Sequence, residues 1–250
     1  MNTIEHNLLR ILQEQVVSID RPDLFRKPLI AFSSAADPRY AKLKEIIGPW
    51  HKSPEELLSG AQTVVSCFVP FTREVDCSPQ AEIDELSLWG EAYTVINQQY
   101  DSIGIAIQSY LSACGFESYP IPSTHTYDPK DLQCYWSHRS AAAIAALGSF
   151  GANGLLITEK GSGGRFCTVL TTAPLPARRL PPSQTCPYPA GCGLCFDACP
   201  VGALKPNGFA RFVCQDELFR NMDALRASHG FPEADVCGKC LSACPLVYLE

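Results

Sequence analysis

The chain has 250 residues, enough to bury a full core, and its 46% hydrophobic and 18% charged residues are typical of an ordinary globular protein. Its net charge of −6 and the lack of any run rich in Lys and Arg argue against a nucleic-acid-binding surface. The first residues do not resemble a signal peptide, and the small-apolar run 141–147 is far too short to cross a bilayer, so we expect no membrane association.

The first third of the sequence predicts alternating helices and strands. Residues 3–17 carry apolar side chains on one helical face, and residues 28–32 form a short apolar run typical of a buried strand. A helix is predicted over 39–47. Ser53, followed by proline and an acid three residues on, predicts a capped helix start. Residues 63–69 are rich in β-branched side chains and predict the clearest strand of this part.

The middle of the chain predicts one long helix over 87–113, a strand over 116–121 and a loop over 122–129 that contains His125 and Asp128. We regard the long helix and the strand as core architecture. The histidine and aspartate of the loop are candidates for function, although a lone histidine in a loop is more often simply solvated.

A third group of elements contains two glycine-rich stretches. A helix over 137–147 is closed by the stretch 148–154, and strands 155–158 and 165–172 are predicted to pair around the loop 161–164. The glycine spacing does not match G-x-G-x-x-G, so a dinucleotide site is not indicated. Such loops permit close approach of the backbone to a bulky ligand, and turn chemistry alone explains them equally well.

The proline-rich stretch 174–182 predicts a linker that divides the chain into two domains. Residues 1–173 would form an α+β domain that binds a cofactor or substrate. Residues 183–250 would form a ferredoxin-like domain, because nearly all of the regularly spaced cysteines lie there.

These cysteines repeat one pattern. Residues 186–200 have the spacing C-x5-C-x2-C-x3-C-P, a stretched form of the bacterial ferredoxin run, and a looser copy consists of Cys214 and residues 237–245. Two copies predict two [4Fe-4S] clusters, in which each cysteine before proline ligates the other cluster. The predicted ligands are Cys186, Cys192, Cys195 and Cys244 for the first cluster and Cys199, Cys214, Cys237 and Cys240 for the second.

Two alternatives are four-cysteine zinc sites and a disulfide framework. Zinc pairs usually lack the third cysteine and the x3-C-P ending, and thirteen cysteines without an export signal indicate a reducing cytoplasm and metal ligation. Residues 186–250 contain few strong apolar runs, so we expect metal binding to supply much of their folding free energy.

Three segments of the chain resemble the epoxyqueuosine reductases. They are Ser137 to Ile157 with Gly161 and Ser162, Pro54 to Val65, and Arg211 to Cys214 with the late cysteine motif. The resemblance implies a corrinoid-binding α+β domain, distantly like that of reductive dehalogenases, joined to the two-cluster domain. It also implies a cytoplasmic oxidoreductase that takes electrons from a low-potential donor such as ferredoxin or flavodoxin. These electrons would pass through the clusters to a cobalamin that acts on a small-molecule or corrinoid substrate.

On this resemblance a corrinoid would contact seven residues: Trp136, His138, Arg139, Gly148, Gly151, Gly161 and Ser162. The match is incomplete, because Ala152 replaces the family's lysine and Leu132 falls on the position of its catalytic aspartate. The neighbouring Asp131 is a candidate proton donor only if it is desolvated, since an ordinary aspartate is ionised at neutral pH.

The chain ends five residues after Pro245, without the family's C-terminal helical-repeat region, and it is acidic. We therefore expect that tRNA is not a partner. If the protein is an enzyme, we expect a large concave pocket near Trp136, His138, Arg139 and the glycine loops. The alternative, a non-catalytic electron-transfer protein that docks a partner enzyme, predicts that side chains fill this space.

Overall fold

The computed structural model describes residues 3–80, 83–123, 127, 130–177, 184–231 and 234–250. Its helices are α1 (Thr3–Ser18), α2 (Pro38–Ile46), α3 (Pro54–Leu57), α4 (Arg73–Cys77), α5 (Ile83–Ala113), α6 (His138–Ile144), α7 (Leu194–Asp197), α8 (Arg211–His229) and α9 (Lys239–Ser242). Its strands are β1 (Leu29–Ser34), β2 (Thr63–Pro70), β3 (Ser118–Pro120), β4 (Gly148–Phe150), β5 (Leu156–Thr158), β6 (Gly164–Thr171), β7 (Leu204–Lys205) and β8 (Gly208–Phe209).

A four-stranded antiparallel sheet in the order β1-β2-β6-β3 forms the centre of the fold. Every residue of β2 is buried, because this strand lies between two others and both of its faces are covered. Alternate residues point to opposite faces. Val65 and Cys67 pack in the core that contains α1 and α5. Val64 and Phe68 pack in the cores that contain α6. The mixed α and β composition agrees with the predicted class.

The elements predicted in the first half of the chain are confirmed to within a few residues. The cap at Ser53 is a full capping box: its backbone N–H donates to Glu56 Oε2 at 2.7 Å, and the N–H of Glu56 donates to Ser53 Oγ at 3.4 Å. The predicted strand 116–121 is shorter, at Ser118–Pro120. His125 and Asp128 of the predicted loop lie outside the described residues.

The glycine-rich region folds differently from the prediction. Helix α6 ends at Ile144, before the predicted 147, and the left-handed Ala146 (φ 58°) turns the chain into β4. Strand β5 pairs with β4, whereas the prediction paired it with β6. The hairpin forms because Gly148 has no Cβ that would meet the carbonyl of Ile157. Strand β6 pairs instead with β2 and β3.

The core continues past the predicted linker. Leu225 of α8, together with Val236, Leu241 and Val247, belongs to the same buried cluster as α1 and α5. Residues 178–183 of the linker region lie outside the described part of the chain, and the division into two domains stays a prediction. In the described residues, no helix has the length and apolar character needed to cross a bilayer.

Candidate metal centres and the adjacent cationic patch

The first predicted cysteine set surrounds one cavity. Cys186, Cys192, Cys195 and Cys244 line it together with residues 151–153 of the β4–β5 hairpin. Local turns bring these thiols together. Gly191 adopts φ 96° after a short 3-10 turn, α7 carries Cys195, and Cys244 follows α9.

The second predicted set comes from three separate segments. Cys214 lies in the first turn of α8, and Cys240 lies in α9, which begins after the left-handed Gly238 (φ 70°). Burial raises the pKa of Cys214 to about 11, with Cys237 and Cys199 contributing. Burial raises the pKa of Cys240 to about 12, with the other three thiols of the set contributing. The thiols of the second set are therefore near enough to interact electrostatically, and Cys195 of the first set also acts on Cys240.

The chemistry of these thiols suits a metal centre. Crowded, half-buried thiols resist ionisation unless a cation compensates their charge, which bound iron does. Two backbone groups already point at sulfur: the N–H of Ala152 donates to Cys186 Sγ at 3.4 Å, and that of Ala203 donates to Cys199 Sγ at 3.2 Å. Hydrogen bonds of this kind tune the potential of an iron–sulfur cluster.

No group of three or more His, Cys, Asp or Glu side chains converges on a point suited to a single metal ion within the described ranges. A cubane distributes its thiolates over separate irons, so its ligands stand around a volume. The arrangement of the first set around a cavity has this character.

Two of the predicted corrinoid contacts are occupied by the protein itself. Trp136 is buried and stacks between Tyr40 and His51, with ring centroids 5.8 and 5.6 Å away. His138 is buried as well. Its Nδ1 lies 2.9 Å from Thr168 Oγ1, and burial lowers its pKa to about 4, so the imidazole is neutral at physiological pH. The space around these two residues is therefore filled by side chains.

Three more predicted contacts pack against neighbouring backbone. Gly148 lies against β5, and Gly161 and Ser162 lie against the C-terminal segment, whose Val247 carbonyl accepts from the N–H of Ser162 at 2.9 Å. These glycines do allow a close approach to their backbone, as predicted, and the group that approaches is the backbone of the same chain. Gly151 lies in the wall of the first cysteine cavity.

Arg139 differs from these five because its side chain is exposed. Its Nη1 donates to the Gly154 carbonyl at 3.0 Å. Surrounding protein displaces water and lowers the pKa of Arg139, and Arg165 lowers it further while Cys240 opposes this effect. Arg139 therefore has an accessible side chain within reach of the charges of Arg165 and Cys240.

Arg165, at the start of β6, is close enough to Arg139 for their charges to interact. It donates to Asn97 Oδ1 at 3.2 Å and stacks over the ring of Tyr93 at 4.5 Å, so both of these contacts come from α5. We call the group of Arg139, Arg165, Asn97 and Tyr93 the cationic patch. Neither arginine forms a salt bridge with a described carboxylate. The cationic patch can therefore bind an anionic or amide group of a ligand.

Sequence reasoning missed Arg165 and Asn97, because a single arginine in a strand and a single asparagine in a helix carry no motif. The one available signal was the position of Arg165 directly after the glycine loop. Asp131 is exposed, so the desolvation that proton donation requires is not found there. Leu132 adopts a left-handed backbone (φ 52°), which aspartate occupies more readily than leucine.

No protein-family model and no curated protein matches the chain. Solved structures of epoxyqueuosine reductases do match. The enzyme from Streptococcus thermophilus aligns with 98% of this chain and 66% of its own, at 17% identity and TM-score 0.59. The enzyme from Bacillus subtilis aligns with 96% of this chain and 66% of its own, at 18% identity and TM-score 0.55.

A third structure, of an epoxyqueuosine reductase with an epoxyqueuosine-modified tRNA-Tyr stem loop, aligns with 97% of this chain and 68% of its own at 18% identity and TM-score 0.55. The chain thus spans about two thirds of the length of these proteins. The resemblance predicted from the sequence motifs is confirmed at the level of the fold.

Proposed function

We propose that this chain, which has the fold of the epoxyqueuosine reductases, is an iron–sulfur oxidoreductase that passes electrons through two [4Fe-4S] clusters to a cobalamin. Its substrate is a small molecule or a corrinoid. The observation that carries the proposal is the first cysteine group, because four thiols that are scattered in sequence line one cavity, and thiols of the second group lie near enough to one another to interact electrostatically. A low-potential donor such as ferredoxin or flavodoxin would supply the electrons in the cytoplasm.

The two cysteine groups would each hold one cluster, as assigned from the sequence. The bound clusters supply one-electron transfer at low potential. The protein contributes the thiolates, the backbone N–H groups of Ala152 and Ala203, and a half-buried setting that limits access of water. These features fit an anionic iron–sulfur centre, because donated hydrogen bonds stabilise the charge on sulfur.

The cationic patch supports the cobalamin part of the proposal. Arg139 and Arg165 would hold amide or phosphate edges of the macrocycle, and Asn97 adds a further polar group. A bound cobalamin supplies low-valent cobalt for reduction. The filled space around Trp136 and His138 favours a second candidate, a non-catalytic electron-transfer protein, and titration with cobalamin discriminates between the two.

Anaerobic reconstitution with iron and sulfide tests the cluster part. We expect about eight irons and eight sulfides per chain, four per cubane. A colourless protein that takes up only zinc would overturn the assignment. Cob(II)alamin added to the loaded protein should then change its corrinoid spectrum, and Arg139→Ala should weaken the response while the exposed Lys42→Ala leaves it unchanged. If cobalamin alters neither spectrum nor thermal stability, the electron-transfer candidate is correct.

We further propose that tRNA is not the substrate. Affinity for tRNA depends on neutralised phosphates, and this chain carries a net charge of −6 before any anionic cluster is added. The experiment is incubation of the loaded, reduced protein with tRNA that contains epoxyqueuosine, followed by nucleoside analysis. Conversion at an enzyme-like rate would refute this part of the proposal and leave the cluster assignment intact.

A further inference from the structure

Nine consecutive residues, 205–213, are all exposed, and they include three large apolar side chains. Phe209, Phe212 and Val213 expose 57%, 46% and 43% of their surface. These residues form the β7–β8 hairpin and the first turn of α8. Exposed apolar side chains concentrated in one short segment indicate an interaction surface.

The same segment is cationic. Between Asp197 and Asp216 the chain contains Lys205 and Arg211 and no acidic residue, although the whole chain carries a net charge of −6. The Arg211 guanidinium lies 5.3 Å from the centroid of the Phe212 ring, so charge and apolar surface are adjacent. We call residues 205–213 the hairpin platform.

The hairpin platform is built directly on the second cysteine set. Cys214 follows Val213 in the chain, and the N–H of Ala210 donates to the Ala203 carbonyl at 2.8 Å. The N–H of Ala203 in turn donates to Cys199 Sγ at 3.2 Å. A protein that covers this surface is brought next to two of the proposed ligands of the second cluster.

We propose that the hairpin platform is the docking surface for a reduced, acidic one-electron carrier protein. The inference rests on the proposed function, because it requires the second cluster. One electron leaves the reduced centre of the carrier and is taken up by the oxidised cluster, and no bond forms or breaks. The acidic carrier matches Lys205 and Arg211, and such charge pairs steer association. Transient redox complexes have small interfaces, which a single exposed segment of nine residues can provide.

Two other occupants fit the surface less well. A second copy of the chain would bring the same cations towards each other across a two-fold axis. RNA binding requires several neutralised phosphates, and the hairpin platform offers two cations in an acidic protein.

The test measures the rate at which reduced flavodoxin, an acidic flavin protein, transfers electrons to the anaerobically loaded protein in a stopped-flow instrument. Arg211→Glu should lower the second-order rate constant about tenfold at low ionic strength, and the difference should vanish at high salt because the attraction is screened. Phe212→Ser should lower the rate at both ionic strengths. Lys42→Glu and Ile105→Ser, exposed on α2 and α5, are the matched controls and should leave it unchanged.

Reduction of each variant by dithionite separates docking from cluster integrity, because this small reductant needs no docking surface. If the Arg211→Glu variant does not retain its cluster, the Lys205→Glu variant is used in the experiment instead. If dithionite reduces the platform variants normally and flavodoxin reduces them at the wild-type rate, the docking proposal is wrong and the proposed function is unaffected. Two further outcomes would also overturn the docking proposal. One is a dimer, seen in sedimentation, that the platform variants abolish. The other is loss of tRNA binding in Arg211→Glu while the rate of electron transfer from flavodoxin is unchanged. A wild-type protein that takes up no iron and sulfide on anaerobic reconstitution refutes the proposed function itself.

Discussion

At the scale of single residues, Asp76 is the most unusual ionisable group in the described structure. Its side chain is completely buried in α4, and no described donor hydrogen-bonds to either carboxyl oxygen. Arg26, the cation whose charge acts on Asp76, donates to the carbonyls of Phe71, Lys160 and Leu249. Burial therefore raises the pKa of Asp76 to about 8, and the attraction of Arg26 only partly offsets this. The carboxyl is mostly protonated at neutral pH.

This pKa predicts a pH-dependent stability. The folded state keeps the proton up to about pH 8, whereas the unfolded chain loses it near the ordinary value of 3.8, so the free energy of unfolding falls as pH rises between these limits. Asp76→Asn should remove this fall. As pH rises, the free energy of unfolding of the variant should therefore increase relative to that of the wild type by about 1.4 kcal/mol per pH unit. This difference should level off above the folded pKa of Asp76. Anaerobic urea unfolding between pH 6 and 9 measures the difference. The exposed Asp101→Asn is the control, and parallel curves for Asp76→Asn and wild type would contradict the prediction.

The cysteine assignment makes a second prediction for a single residue. Cys199 lies in the first motif, yet it is expected to ligate the cluster held by Cys214, Cys237 and Cys240. Cys199→Ala should therefore lower iron content by up to about half and leave one intact cluster. Iron analysis and electron paramagnetic resonance of the reduced protein measure this. Cys77→Ala, which removes an exposed thiol outside both sets, should have no effect. Loss of the cluster at Cys186, Cys192 and Cys195 would show that the ligands do not cross over.

At the scale of elements, the C-terminal segment 246–249 is attached to the glycine loop that precedes β6. The Val247 carbonyl accepts from the N–H groups of Ser162 and Gly163, and the Arg26 guanidinium lies 4.1 Å from the ring centroid of Tyr248. A Cβ on Gly161, whose φ is 95°, would collide with the Val247 backbone. Because this segment follows Cys244 immediately, its attachment also fixes the position of that thiol.

We therefore expect Gly161→Ala to destabilise the protein by about 2 kcal/mol or more and to weaken the first cluster selectively. The matched control is Gly115→Ala. Gly115 has a similar φ of 86° at the end of α5, and nothing lies within 4 Å of an added Cβ, so this variant carries only the backbone strain. Thermal unfolding and iron retention compare the two. Equal losses in both variants would show that contact with Val247 contributes nothing.

The sequence predicted those elements and sites that short-range patterns determine. Apolar periodicity located α1, β2 and α5, and fixed cysteine spacing predicted two thiol sets, the first of which lines one cavity. The pairing of β5 with β4 was missed, because strand partners depend on contacts distant in sequence. For the same reason Gly161 was interpreted as a ligand contact although its neighbour is residue 247. Arg165 joins Asn97 and Arg139 only through tertiary packing, which no local motif indicates.

At the scale of the whole molecule, the cysteine-rich segment 186–250 divides into two parts that differ in how many buried apolar contacts support them. Residues 186–214 contribute only Ala203 and Leu204 to the buried apolar residues. The later residues Leu225, Val236 and Val247 belong to the main core with α5. The sequence predicted that all of 186–250 depends on metal for folding. The packing instead predicts that the earlier part depends on metal much more strongly than the later part.

Hydrogen exchange measured before and after anaerobic iron chelation tests this difference. Without clusters, the thiols of 186–214 have little apolar contact to hold their backbone, so peptides from this part should lose protection first. Peptides from the second half of α8 should stay protected, because Leu225 packs against α5 and a Cβ on Gly90 of that helix would lie 3.1 Å from Leu225 Cδ1. Peptides from β2 and β6 serve as the internal control. Simultaneous loss of hydrogen-exchange protection across 186–250 would show instead that the clusters support this whole segment. Its contacts with α5 would then persist only while iron is bound.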